Sequence, residues 1–281
     1  MQSATGLSRE VLAAMLVAAL AGCAQAPLPI DTRYRAQAQD SRVQFIVLHY
    51  TVGHFGSALF TLTEGPVSSH YLVDREPARV YRLVDESRRA WHAGPSFWQG
   101  HTSLNAASIG IEIVNPGFLG DPAGPYEPYA DAQIDAVVAL VRDIARRHGV
   151  RPHRIVGHSD ISPQHKQDPG PRFPWRRLAH EGLIPWPDEA AVQVQRAHFE
   201  QDLPDAAWFQ QRLSRLGHDV PRHGRWDEQT RRVLAVFQMK YRPSLYDGQP
   251  DAETAAWLQV ATTPGGLRLA DGRGGWAPYP G

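Results

Sequence analysis

The chain has 281 residues, enough for one sizeable domain and a small second one. Apolar residues make up 42% of it and charged residues 21%, which supports a packed core and argues against wholesale disorder. Lys+Arg 29 balance Asp+Glu 29, removing the basic footprint of a dedicated nucleic-acid-binding protein. The single cysteine excludes an intramolecular disulfide framework and any multi-thiolate zinc or iron–sulfur site. A metal would have to sit on histidine and carboxylate, and the chain has 13 histidines, most of them between His49 and His180.

Val11 to Gly22 is an apolar run too short to span a bilayer and suited to the hydrophobic region of a secretory signal. It ends Leu20-Ala21-Gly22-Cys23, which resembles the lipobox of bacterial lipoproteins, where the cysteine is lipidated and becomes the first mature residue. The resemblance implies a signal peptide over 1–22, a tether over 23–41 and a lipid anchor at Cys23 on the periplasmic side of a membrane. Ala24, in place of an aspartate, implies the outer membrane. The other reading of the run is an ordinary buried helix with a core cysteine.

Val43 to Leu48 is β-branched and aromatic, long enough for a buried strand that delivers His49 at its C-terminal end. Tyr71 to Val73 and Val80 to Val84 read as a strand pair around the turn at Glu76-Pro77. Ile109 to Val114 reads as a strand stopped by Asn115-Pro116-Gly117, with Glu112 on the face opposite Ile111 and Ile113. From Asp131 to His148 the apolar spacing is helical, with Asp131 as N-cap and Gly149 just past the end. Arg154 to Gly157 gives a short strand delivering His158. The alternation predicts an α/β fold with a mixed central sheet flanked by helices.

A boundary is expected at Pro185-Trp186-Pro187, closing a first domain over 42–185. Ala206 to Leu216, Asp227 to Tyr241 and Asp251 to Val260 read as three short helices of a small neutral bundle over 192–262. The Gly- and Pro-rich stretch 263–281 reads as a flexible tail.

The segment Gly157 to Pro171 packs His158, Lys166 and Asp168 between turn-forming ends, and loops of this composition commonly carry sites. With His49 it offers two imidazoles and one carboxylate, the ligand set of an open catalytic zinc site. Composition alone does not choose these three among 13 histidines, and a structural His/Asp grouping is the commoner case. Glu112 by composition alone reads rather as a strand glutamate on a solvated face.

Residues 42–176 resemble the zinc-dependent N-acetylmuramoyl-L-alanine amidases of the type-2 family, which share their fold with bacteriophage T7 lysozyme and the peptidoglycan recognition proteins. The resemblance rests on five motifs in order: Ile46 to Thr51, Ser68 to Val73, Ala90 to Gly94, Ile109 to Asn115, and Gly157 to Ile161 continuing through Lys166 to Pro171. It implies a Zn2+ cofactor on His49, His158 and Asp168, with Glu112 as general base and Lys166 as the cation that stabilises the oxyanion. One independent point favours Lys166: with Lys240 it is one of only two lysines among 29 basic residues, so a compact ammonium is kept where arginine is the habit. His70 and His92 fall in the motifs, either lining the cleft or serving as structural imidazoles. His54, His101, His153 and His165 read as surface or supporting residues, while Trp91, Trp98 and Tyr50 suit either sugar stacking or the core.

The C-terminal bundle, with Trp208 to Gly217 and Asp227 to Gln238, resembles the three-helix peptidoglycan-binding domain found beside many wall hydrolases. The resemblance implies hydrolysis of the amide between N-acetylmuramic acid and L-alanine in peptidoglycan or muropeptides, in wall turnover. The alternative is a recognition protein that keeps the fold without catalysis, but relatives of that kind lack the complete ligand set. A zinc peptidase is disfavoured because no His-Glu-x-x-His helix is present.

Overall fold

The computed structural model describes residues 28–118, 124–271 and 273–280. The expected signal peptide over 1–22 and Cys23 lie outside them. Asp40–Gly281 forms one compact unit.

Its centre is a five-stranded sheet in the order β3-β2-β6-β1-β7, built from β1 (Phe45–Tyr50), β2 (Tyr71–Val73), β3 (Val80–Arg82), β6 (Ser108–Ile113) and β7 (Ile155–Gly157). β2, β6, β1 and β7 run parallel, and β3 closes one edge antiparallel, so the sheet is mixed as expected. A small hairpin of β4 (Phe97–Trp98) and β5 (His101–Thr102) precedes β6.

Period two divides the strands between two cores. Ile46 and Leu48 of β1, with Ile109, Ile111 and Ile113 of β6, face α2 (Asp131–His148), which buries Ile134, Val137, Val138, Val141 and Ile144 against them. Each such aliphatic side chain contributes on the order of 1.5–3 kcal/mol on burial. Phe45 and Val47 face the other way, into a smaller cluster with Leu104, Val156 and Ile161. His49, Ser108, Gly110 and Glu112 share that second face, so the site lies on the side of the sheet away from α2. Asp131 proves to be the first helical residue of α2, with Ala130 at the cap position, while Gly149 ends the helix at φ 69° as its lack of a Cβ allows. The helix α1 (Phe55–Glu64) is additional to the expected elements and buries only Ala58 and Leu62.

Two short helices follow β7: α3 (His158–Ile161) and α4 (Trp175–His180). The C-terminal bundle has α6 (Ala206–Leu216), α7 (Glu228–Tyr241) and α8 (Ala252–Thr262) where helices are expected, and α5 (Glu189–Phe199) in addition. Each starts on an aspartate whose carboxylate accepts from main-chain N–H groups of the first turn: Asp188, Asp205, Asp227 and Asp251. Val192, Phe199, Phe209, Leu213, Leu234, Phe237 and Leu258 form the bundle core.

The expectation of a flexible tail over 263–281 is corrected. β9 (Leu267–Ala270) and β10 (Trp276–Pro278) join β8 (Trp186–Pro187) in an antiparallel sheet of order β10-β9-β8. Backbone hydrogen bonds to a distant strand order a segment whose composition reads as loose. Trp186 of β8 is buried and packs on Tyr241 and Trp257, with ring centroids 5.1 and 6.0 Å away, joining the bundle to the sheet core.

Candidate metal centre and active site

β1 and β7 pair with Leu48 opposite Gly157, so the residues that follow in each chain segment, His49 and His158, come side by side. Asp168 returns to them on the loop after α3, held where its carbonyl accepts the Ser159 N–H at 2.8 Å. His49 Nδ1 lies 3.0 Å from His158 Nδ1 and 3.1 Å from Asp168 Oδ2, and His158 Nδ1 lies 3.0 Å from the same oxygen. All three residues are buried.

The surrounding hydrogen bonds settle which ring nitrogens carry protons. His158 Nε2–H donates to the Ala93 carbonyl at 3.3 Å. The Ser108 hydroxyl donates to the Leu104 carbonyl at 2.7 Å, so its oxygen accepts from His92 Nε2–H at 3.1 Å. His92 Nδ1 is then bare and accepts from His49 Nε2–H at 3.0 Å. Both ligand-position imidazoles therefore turn unprotonated Nδ1 atoms toward a carboxylate oxygen. Three lone pairs converging at about 3 Å repel one another unless a cation lies among them. A tetrahedral ion with bonds of about 2.0–2.1 Å spaces its donors about 3.3 Å apart, so this N,N,O set fits a zinc-sized divalent ion.

Burial and the neighbouring His158 push the His49 imidazole down from its ordinary range, which favours the neutral form that ligates metals. Burial opposes ionisation of Asp168, while positive charge beside it, at His158 first, holds its carboxyl well below the usual carboxylate range. Burial, then the proximity of Asp168, pushes the Glu112 carboxyl well above its ordinary value, with Lys166 acting in the opposite direction.

Glu112 is the register partner of His49 on β6, so both side chains leave the same face of the sheet. Its Oε2 is buried and finds no hydrogen-bond partner among the described residues. Lys166 is exposed, in a cleft walled by Tyr126 and Gln167 on one side and by Arg232, Met239 and Tyr246 of the bundle region on the other. Sheet register and the loop after α3 thus bring His49, Glu112, His158 and Asp168 together, and the Lys166 charge acts on His49 and Glu112.

The other histidines separate by their contacts. His70 is structural: its Nδ1 accepts the Gly110 N–H at 3.1 Å and its Nε2–H donates to the Arg88 carbonyl at 3.2 Å. His92 supports His49 as described, on a loop fixed by Asn105, whose Oδ1 accepts the N–H groups of His92 and Ala93 at 2.9 and 2.7 Å. His54 caps α1, His101 packs edge-on against Phe45, His153 bonds the Tyr279 hydroxyl, and His165 is exposed. Trp98 and Tyr50 are buried, whereas Trp91 is half exposed beneath the Arg89 guanidinium. Sequence reasoning missed Ser108, although the period-two alternation that selects Glu112 puts Ser108 and Gly110 on the same face.

The family model described as N-acetylmuramoyl-L-alanine amidase matches residues 39–171, and the one described as "Putative peptidoglycan binding domain" matches 202–258. The chain is 44% identical over 261 residues to the N-acetylmuramoyl-L-alanine amidase AmiD of Escherichia coli (strain K12), covering 88% of this chain and 93% of that one. It is 33% identical over 179 residues to the 1,6-anhydro-N-acetylmuramyl-L-alanine amidase AmpD of the same organism, covering 57% of this chain and 91% of that one. Among solved structures, AmiD from E. coli with its substrate superposes at TM-score 0.73 and 41% identity, over 83% of this chain and 93% of that one. AMPDH3 from Pseudomonas aeruginosa superposes at TM-score 0.76 and 38% identity, over 83% and 96%. With the sheet, the His-His-Asp cluster and a likeness over most of the chain in agreement, the chain belongs to the N-acetylmuramoyl-L-alanine amidase family.

Proposed function

We propose that this chain is a zinc-dependent amidase that cuts the bond between the lactyl group of N-acetylmuramic acid and L-alanine, freeing glycan from stem peptide. The observation that carries the reading is the convergence of bare His49 Nδ1, bare His158 Nδ1 and Asp168 Oδ2 beside an unpartnered, buried Glu112 oxygen. His49, His158 and Asp168 would hold the ion. When bound, zinc supplies Lewis acidity, making a water nucleophilic near neutral pH and polarising the amide carbonyl. Glu112, whose side chain leaves the same sheet face as that of His49, takes the proton of the attacking water and passes one to the leaving nitrogen of L-alanine. The Lys166 ammonium, whose charge acts on both His49 and Glu112, offsets the charge that develops on the carbonyl oxygen.

The substrate class is supported by two relatives. The AmiD structure holds anhydro-N-acetylmuramic acid-L-Ala-D-gamma-Glu-L-Lys, and an AMPDH3 structure holds anhydromuramic pentapeptide. Soluble muropeptides of wall turnover are accordingly the first substrates to try, with intact sacculi beside them. In the same reading, the Leu20-Ala21-Gly22-Cys23 end makes the mature chain a lipoprotein on the periplasmic face of the outer membrane.

Mass spectrometry of muropeptides after digestion, with and without a chelator, reports bond position and metal dependence together. Cleavage within the peptide, or cleavage indifferent to the chelator, would overturn the assignment. Membrane fractionation of the parental chain against Cys23→Ser tests the anchor, which fails if both fractionate alike.

A further inference from the structure

The second lysine, Lys240, does not behave as a surface residue. It stands on α7 of the bundle, and its Nζ lies 2.7 Å from Asp160 Oδ2, with the two side chains only 9% and 3% exposed. The ammonium also lies 4.2 Å from the centroid of the Trp175 ring. A buried carboxylate is costly unless paired, and this narrow position between an indole face and a carboxylate suits a compact ammonium better than a planar fork.

Asp160 belongs to α3, the helix that opens with His158. The oxygen that meets Lys240 also accepts the Gly157 N–H at 2.8 Å, fixing the turn that leads into His158. The Asp160 main-chain carbonyl accepts from Nδ1–H of buried His218, beyond α6, at 3.1 Å. A single turn of helix does not hold itself together, so these outside ties decide where α3 sits. The loop that follows is held from the same side. Arg232 donates to the Gln164 carbonyl at 2.8 Å, and the Gln164 side-chain amide donates to the Gln229 carbonyl at 3.1 Å. Trp175, under the ammonium, packs on the same turn: a Cβ on Gly157 would stand 3.1 Å from Trp175 Cζ2 and 2.7 Å from Pro169 Cδ.

We propose that Lys240 is a positioning residue for the metal centre, and that the bundle resembling a wall-binding module also braces the one-turn helix that presents His158. The inference rests on the zinc reading above. Its test is the rate at which zinc leaves the full chain for an excess of chelator, well below the unfolding temperature, together with the visible spectrum of the cobalt-loaded protein. Lys240→Met should release zinc about tenfold faster or more, as expected for loss of support behind a ligand, and should alter the cobalt spectrum. The Lys240→Met, Asp160→Asn double variant leaves no buried unpaired charge, so a folded protein is at hand if the single variant is not, and it should release zinc faster too. A purely structural lysine would lower the melting temperature while zinc release and cobalt spectrum stay parental, and that result overturns the inference. A parental chain that takes up no zinc removes the ligand assignment itself, and this inference with it.

Discussion

His49 Nε2 and His92 Nδ1 stand 3.0 Å apart, and the proton between them belongs to His49 because His92 has spent its own on Ser108. The consequence reaches the metal centre: with Nε2 protonated, His49 has only Nδ1 to offer. His92→Phe keeps an aromatic ring but removes the acceptor, leaving a buried N–H unsatisfied and the His49 ring free to turn. Zinc affinity should fall about 10–100-fold, the usual range for loss of a partner behind a ligand. Ser108→Ala, one bond further out, should cost less. Chelator competition measures both, and an unchanged affinity in His92→Phe would remove the chain of proton assignments.

Gly110 is needed for the same reason, and its φ has no part in it. A Cβ there would stand 2.5 Å from His92 Cγ, inside any allowed contact. Gly110→Ala should therefore displace the His92 ring, costing about 1–3 kcal/mol in stability as overpacking does, and should weaken zinc along with it. Thermal melts of the metal-free protein and zinc titrations separate the two effects. Parental zinc affinity in a destabilised Gly110→Ala would mean that His92 can move without consequence.

Glu112 and Asp168 are both buried carboxylates near the ion site, yet their environments push them in opposite directions. Glu112→Gln keeps the shape and removes the proton exchange, so it should lose about 10²–10⁴-fold in kcat while retaining zinc. Asp168→Ala should lose zinc and hydrolysis together while the fold survives. Metal content by atomic spectroscopy, beside turnover of a defined muropeptide, tells them apart. A Glu112→Gln protein that turns over normally, or an Asp168→Ala protein that keeps its zinc, contradicts the respective role.

What sequence made legible was local. The alternation in Ile109 to Val114 declares a strand and the face of Glu112, because period two is written in consecutive residues. The five motifs carry the ligand set for the same reason: each is a short run. The pairing of β9 with β8 is different, since Leu267–Ala270 lies among glycines and its partner is a two-residue strand ending in Pro187. No composition reports such a pairing. α5 buries only Val192 and Phe199, too few positions to show a helical period. Ser108 and the Lys240–Asp160 pair owe their importance to what they touch across the fold, which spacing along the chain does not encode.

The fold also carries an acid-sensitive tie at the end of α2. Glu86 receives the Tyr71 hydroxyl at 2.7 Å, the Arg147 guanidinium at 2.8 Å and His148 Nε2 at 2.9 Å, joining the end of α2 to the segment after β3. The Arg147 hydrogen bonds, first among these and against the cost of burial, hold the Glu86 carboxyl down to about 2 from an ordinary 4.5. A carboxyl depressed in the folded state stabilises it fully above its unfolded value and ceases to do so as the pH falls toward the folded one. The contribution should therefore be present above about pH 4.5 and vanish near pH 2. Arg147 is partly exposed and the pair is screened, so about 1–2 kcal/mol is expected at neutral pH. Glu86→Gln should lower stability by that amount at pH 7, with the two denaturation curves drawing together between pH 4.5 and 2. Urea titrations at several pH values follow the difference, and a gap that stays constant down to the acid limit would show that Glu86 acts by shape rather than by charge.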